Sequence, residues 1–256
     1  MMGGARRAAW RRRQVGQEKV GRAAGLVVLV VAGVVLGLRA PMPVPDTHTR
    51  TGASASAEVN DWTSVANSFW TDRDGLYRID VALSTLERTD SAELQFYVRE
   101  GGPKGRIIRE LHRSLMDLPE GKVLDLYSTR WRDLPWVSFQ FEPLYGYAGK
   151  ELCFSVEGKG IPLKNTVQVL FAYHNDYPRG EAFTSAKAAN ARMVFRTFTR
   201  GTLAELLGMT FPLLARGRPG FLGWQWVYEA AAAAVVALAV LLFAAIAGLR
   251  GHEGRR

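Results

Sequence analysis

The chain has 256 residues and a formal net charge of +9, and this length suits one folded domain with flanking segments. The positive charge is concentrated at the termini: residues 1–22 hold seven Lys or Arg and one Glu, and residues 250–256 hold three Arg and one Glu. The rest is nearly neutral, which argues against a nucleic-acid-binding domain, because such a domain carries its positive charge on the folded part. Cys153 is the only cysteine, so an intrachain disulfide is excluded.

The amino-terminal region predicts a basic cytoplasmic tail, residues 1–22, followed by a membrane-spanning helix, residues 23–40. The stretch AAGLVVLVVAGVVLGL, residues 23–38, carries no charge and lies between Arg22 and Arg39. Sixteen helical residues cover about 24 Å against a hydrocarbon core of about 30 Å, so the flanking arginines would have to reach the headgroups. A cleaved signal peptide is the alternative, although Pro41 makes a poor cleavage site.

The next segment predicts a flexible linker over residues 41–58. Its sequence, PMPVPDTHTRTGASASAE, is rich in Pro, Ser, Thr and Ala and shows no apolar periodicity. Such composition is typical of connecting segments.

Residues 59–200 consist of short runs in which apolar and polar residues alternate. In GLYRIDVALST, Tyr77, Ile79, Val81 and Leu83 fall on one side of a strand, and the same period recurs in ELQFYVRE, WVSFQFEP, KELCFSVEG, NTVQVLFAYH and ARMVFRTFTR. The segments DRDG, EGGPKG, PEGK and YPRGE supply turns. This pattern predicts an all-β fold, an antiparallel jelly-roll-like β-sandwich flanked by two transmembrane α-helices. One buried face per strand does not suit a parallel α/β sheet.

Residues 201–223 predict a short amphipathic helix. Thr202 followed by Glu205 fits a capping box at the start of the helix, and Pro212 should end or bend it. The segment either lies on the outer leaflet as an interfacial piece or packs against the base of the sandwich, and both interpretations stay open.

Residues 224–249 predict a second transmembrane helix, followed by a short cytoplasmic tail at residues 250–256. Ala230–Leu249 holds no charge, and Trp224, Trp226 and Tyr228 precede it where an aromatic belt would lie. Because basic residues stand outside both predicted helices, the positive-inside rule puts both termini in the cytoplasm. The β-sandwich is therefore expected on the outer face of a cytoplasmic membrane, with the lipid bilayer as a partner and no nucleic acid.

The strand sequences also carry a resemblance. The succession FWTDRDGLYRIDVALSTLER, LQFYVRE, VSFQFEP, AGKELCFSVEG, YPRGEAF and MVFRTFTR resembles the extracytoplasmic jelly-roll modules, similar to galactose-binding and carbohydrate-binding sandwiches, that accompany bacterial polytopic membrane glycosyltransferases. The similarity covers residues 62–200. It implies a bacterial envelope protein that binds glycan or a polytopic partner of glycan assembly. It does not carry over a transferase activity, because this sequence holds no multi-span catalytic region.

One loop gathers side chains suited to a sugar. In YHNDYPRGEAF, residues 173–183, aromatic faces can contact the apolar side of a sugar ring while amide and carboxylate groups bind its hydroxyls. The predicted ligand-binding residues in this loop are His174, Asn175, Asp176, Tyr177 and Glu181. The alternative is a hairpin loop shaped by Pro178 and Gly180.

Trp131, Trp136 and Tyr147 are further candidates for ligand binding. Trp136 alternates out of phase with Val137 and Phe139, so we expect it on the solvated face, where it can stack on a ligand. The alternatives for the two tryptophans are a satellite core or contact with a membrane partner.

Asp72 and Asp74 form the Asp-x-Asp string with which many nucleotide-sugar transferases hold a metal. Gly75 follows between two strand patterns, which favours a β-turn with solvated acids. A structural Ca²⁺ bound by these two acids is the remaining metal prediction, and no other cofactor is expected.

The acids and histidines show no catalytic motif. The sequence thus predicts a non-catalytic binding protein. A purely structural accessory subunit of a membrane protein complex and a polysaccharide hydrolase or lyase are the alternatives.

Overall fold

The computed structural model describes residues 32–48, 53–85, 92–119, 134–163, 167–173, 179–216, 218 and 224–253, with backbone alone at 48 and at 240–253. The chain divides into two compact units. One is Pro43–Gly201, which we call the sandwich unit, and the other comprises Met1–Met42 and Thr202–Arg256.

Within the described ranges, thirteen strands form two antiparallel sheets. The strands are β1 Pro41–His48, β2 Ala55–Val59, β3 Val65–Trp70, β4 Leu76–Thr85, β5 Glu93–Glu100, β6 Arg106–Ser114, β7 Trp136–Leu144, β8 Glu151–Lys159, β9 Val167–Ala172, β10 Ala182–Thr184, β11 Lys187–Ala189, β12 Arg192–Met193 and β13 Phe195–Thr202. Sheet I has the order β1-β13-β4-β9-β12, with β2 paired to β9 and β7 paired to β4. Sheet II has the order β11-β10-β3-β8-β5-β6. The fold is an all-β sandwich.

Phenylalanine side chains join the two sheets in the core. Phe96 and Phe154 of sheet II and Phe139 and Phe195 of sheet I are fully buried. The Phe96 and Phe139 rings stack with centroids 4.0 Å apart, and the Phe154 and Phe195 rings meet edge to face at 5.1 Å. Full burial of one such side chain contributes roughly 1.5–3 kcal/mol, so these contacts help to hold the sheets together.

The six predicted strand runs are confirmed as β4, β5, β7, β8, β9 and the β12–β13 pair. Within β4 one predicted side is wrong, because Leu76 and not Tyr77 belongs to the core. The pairing register of β4 with β7 shifts between Leu76 and Arg78, and such a bulge moves a residue to the other face.

The interval 41–58, for which the sequence predicts a linker, contains β1 and all of β2 except Val59. β1 lies at the edge of sheet I, and there every second N–H points away from the neighbouring strand. Pro41, Pro43 and Pro45 have no N–H, and such residues are tolerated on an edge strand. The Thr47 N–H donates to Thr197 Oγ1 of β13 at 2.8 Å, a contact that apolar periodicity does not reveal.

Three helical segments belong to the second unit: α1 over residues 32–38, α2 Leu203–Ala215 and α3 Gln225–Glu253. The predicted start of α2 is confirmed, since the Thr202 hydroxyl accepts from the Glu205 N–H at 3.3 Å. Pro212 does not end the helix, because bonding continues beyond it with the Arg216 N–H on the Pro212 carbonyl. In the part of the chain that is described, no helix is both long and apolar enough to cross a membrane.

Candidate functional site

The outward side of sheet I holds a row of arginine and aromatic side chains. On β13, Phe195, Thr197 and Thr199 are buried, so Arg196, Phe198 and Arg200 take the opposite side by the two-residue period of a strand. The register pairs Phe198 with Arg78 of β4 and Arg196 with Asp80. On its other side Asp80 pairs with Ser138 of β7. We call the set Tyr77, Arg78, Asp80, Trp136, Arg196, Phe198 and Arg200 the arginine face.

Asp80 is the centre of the arginine face. Its side chain is fully buried, and it accepts from Arg78 Nε at 2.6 Å, Arg78 Nη2 at 2.7 Å and Arg196 Nε at 2.7 Å. Burial alone would raise the pKa of Asp80, but hydrogen bonds from Arg78, Ser138 and Arg196 outweigh it and hold the pKa below the usual value. The carboxylate is therefore ionised at neutral pH and fixes both guanidinium groups.

Aromatic rings fix the guanidinium groups from a second direction. The guanidinium carbon of Arg196 lies 4.4 Å from the centre of the Trp136 ring and 5.5 Å from that of Phe198. The guanidinium carbon of Arg78 lies 4.5 Å from the Phe198 ring centre. Cations in this position are attracted by the ring quadrupole, so rings and carboxylate together hold Arg78 and Arg196 in place.

The fixed guanidinium groups keep hydrogen-bonding capacity. Each guanidinium presents five N–H donors in a planar fork, and Asp80 accepts three of the ten that Arg78 and Arg196 carry. Arg78 and Arg196 have 23% and 31% of their side chains exposed, so part of each side chain faces solvent. Arg200 is exposed, and its guanidinium carbon lies 5.7 Å from the Tyr77 ring centre.

Of the residues predicted to bind ligand, the structure places Trp136 on the arginine face, where it is half-buried and packs against a second cluster of buried apolar side chains, as in the satellite-core interpretation. Tyr147 lies in the β7–β8 loop with Lys150 Nζ 5.0 Å from its ring centre. Glu181 precedes β10, and its N–H donates to Ser68 Oγ at 2.9 Å. Trp136 begins β7 and Tyr147 follows the other end of that strand, so the three residues do not form one site. The other predicted ligand-binding residues lie outside the described ranges: Trp131, His174, Asn175, Asp176 and Tyr177.

Asp72 and Asp74 lie in the β3–β4 turn and bind protein groups. Asp72 Oδ1 pairs with Arg179 Nη1 at 3.2 Å. Asp74 Oδ1 accepts from the N–H groups of Tyr147 and Ala148, each at 2.9 Å, and these bonds, led by that from Ala148, lower the pKa of Asp74. Among the residues with a description, no group of three or more His, Cys, Asp or Glu could hold a metal ion.

Sequence reasoning missed Arg78, Asp80, Arg196, Phe198 and Arg200. The available signal was the spacing Arg-x-Asp in YRIDV and Arg-x-Phe-x-Arg in FRTFTR, which puts these side chains on the polar side of two strands. The contact between the two strands could not be seen, because Arg196 and Asp80 are 116 positions apart.

No protein-family model matches the chain, and no curated protein matches it. The geometry and charge of the arginine face are therefore the basis for assigning a function.

Proposed function

We propose that the chain is a membrane-anchored, non-catalytic β-sandwich of jelly-roll type that binds envelope glycan on the outer side of a cytoplasmic membrane. The observation that carries the proposal is the arginine face itself. Asp80, Trp136 and Phe198 fix the guanidinium groups of Arg78 and Arg196. Asp80 accepts three of their ten N–H groups, and 23% and 31% of the two side chains are exposed.

The composition of the arginine face suits a sugar ligand. Sugars offer oxygen acceptors for guanidinium donors and apolar ring faces for aromatic side chains. A site held on strands and supported by a second layer of contacts loses little entropy when it binds. Arg78 and Arg196 have this support, because Asp80 and the rings orient them before any ligand arrives.

The chemistry of Asp80 favours binding over catalysis. A general acid or base works best when its pKa is near the working pH, whereas the pKa of Asp80 is lowered. Its side chain is also fully buried, so it acts on a ligand only through the arginines it orients.

The sequence and the topology of the sandwich unit support anchoring. Residues 23–38 and Ala230–Leu249 carry no charge, and basic residues stand outside both stretches. In the sandwich unit the Thr199 hydroxyl donates to the Val44 carbonyl at 3.4 Å, while Thr47 bonds to Thr197. The start of β1 and the end of β13 therefore lie at the same end of sheet I. A domain whose two flanking segments are both anchored in one membrane needs this arrangement.

A glycan array probed with the full chain in neutral-lipid nanodiscs tests the binding function. We expect bound sugars whose signal falls in a Phe198→Ala variant, because that ring supports Arg78 and Arg196. Phe183→Ala is the matched control, since Phe183 is also half-buried but lies on β10 of sheet II. An array without any response would reject glycan binding and favour an accessory subunit that contacts another membrane protein.

Anchoring is tested separately in intact spheroplasts. A reporter fused after Arg256 should be active on the cytoplasmic side only, and added protease should cleave the sandwich unit. An active reporter outside together with a protected sandwich unit would contradict the proposed orientation.

A further inference from the structure

We infer that the glycan bound by the arginine face is an acidic polysaccharide, a sugar polymer that carries carboxylate groups along its length. This inference rests on the proposed glycan-binding function and adds the chemical class of the ligand.

Guanidinium and carboxylate groups match in geometry. The planar guanidinium fork binds a carboxylate through two parallel hydrogen bonds, an arrangement that a neutral hydroxyl cannot reproduce. Arg78 already makes this arrangement with Asp80, through Nε at 2.6 Å and Nη2 at 2.7 Å. Arg200 is exposed, so its planar fork can bind a carboxylate of the ligand in the same way, which favours anionic oxygen pairs over neutral hydroxyl groups.

Positive charge lies along the outward side of β13. Arg196 and Arg200 flank Phe198 on its outward side, and the neighbouring edge strand β1 offers the exposed prolines Pro43 and Pro45. On β4 the acid is Asp80, which is buried between two arginines. The exposed acid Glu142 occupies an outward position of β7, and β4 separates β7 from β13. Arg196 and Arg200 on β13 are thus the positive part of the arginine face.

The spacing of the two β13 arginines suits a polymer. Arg196 and Arg200 are four positions apart on one strand, which corresponds to about 13 Å along the sheet. A single anion engages one of them, whereas a chain with repeated carboxylates engages both at once. Two linked contacts bind more tightly than either alone because the second is intramolecular. The geometry therefore favours a polymer over a small anion.

The test uses the full chain in phosphatidylcholine nanodiscs and three probes: polygalacturonate, neutral dextran and polyglutamate. We expect polygalacturonate to bind at least about tenfold more tightly than dextran. Arg200→Gln should weaken polygalacturonate binding about tenfold, because it removes one charge-assisted contact. Arg106→Gln is the matched control. Arg106 is an exposed arginine of β6 on sheet II, paired with Glu100, and its replacement should leave binding within about twofold.

Arg200 suits this test because it is exposed, so its replacement should not affect folding, which near-ultraviolet circular dichroism verifies. Equal binding of dextran and polygalacturonate would overturn the acidic assignment while leaving glycan binding intact. If neither polymer binds, the proposed function itself fails. Polyglutamate binding as tight as that of polygalacturonate would overturn the sugar assignment. Polygalacturonate binding that Arg200→Gln does not change would overturn the site, because the polymer would then bind to other basic residues of the chain, such as those in residues 1–22.

Discussion

Replacing Asp80 with Asn removes the charge that holds the arginine face together. The Asp80 side chain is fully buried and accepts three N–H groups from Arg78 and Arg196. Breaking a buried ion pair costs about 3–5 kcal/mol. Because the two arginines have 23% and 31% of their side chains exposed, we expect water to hydrate them in part after the change. We therefore expect a loss at the low end, about 3 kcal/mol of unfolding free energy.

Thermal unfolding of the full chain in mild detergent, followed by near-ultraviolet circular dichroism, measures this loss. For a domain of this size, about 3 kcal/mol lowers Tm by about 6–12 °C. Asp72→Asn is the control, since Asp72 is 67% exposed in a single pair with Arg179, and exposed pairs contribute about 0–1 kcal/mol. If the Tm of Asp80→Asn lay as close to the wild-type Tm as that of Asp72→Asn, the stabilisation by the buried ion pair would be refuted.

The lowered pKa of Asp80 means that its stabilisation is present above the unfolded pKa of about 3.8 and is lost as pH falls through the folded pKa. In an acid titration, the free energy of unfolding should therefore fall less in Asp80→Asn than in wild type once the pH drops below about 3.8. Gly180→Ala should cost more than about 1 kcal/mol in urea unfolding, because Gly180 has φ +92° and an added Cβ would meet the Ser68 carbonyl. Gly102→Ala, with open space around it, should be near neutral. Burial raises the pKa of the Cys153 thiol to about 12, so maleimide at pH 8 should label it slowly in the native protein and fully in denaturant.

The strands that could be predicted from the sequence are those with strict alternation. In β5, Leu94, Phe96 and Val98 are all buried while the residues between them are half-buried, so the period of two is visible in the sequence. β6 was not predicted because a charged residue occupies one of its core-facing positions. Arg109 pairs with Val98 in register, and its Nε donates to the Glu142 carbonyl of β7 at 3.2 Å. From the sequence alone, an arginine whose guanidinium bonds to the edge of the opposite sheet cannot be distinguished from a surface arginine.

The candidate site could be predicted only as single residues. The outward position of Trp136 follows from its phase against Val137 and Phe139, a local property of one strand. The cluster around Asp80 depends on β4 lying between β7 and β13, and strand order is a long-range property that a pattern in one strand does not contain. Apolar periodicity therefore predicts which side a residue faces, and the structure is needed to show its neighbours.

Hydroxyl-radical footprinting of the full chain, with and without a bound glycan, tests the central claim most directly. Each sheet carries aromatic reporters on its outward side: Tyr77, Trp136 and Phe198 on sheet I and Tyr97 on sheet II. We expect bound glycan to protect Tyr77, Trp136 and Phe198 from oxidation and to leave the oxidation of Tyr97 unchanged. Protection of Tyr97 alone, with the three sheet I reporters oxidised as in the free protein, would contradict it.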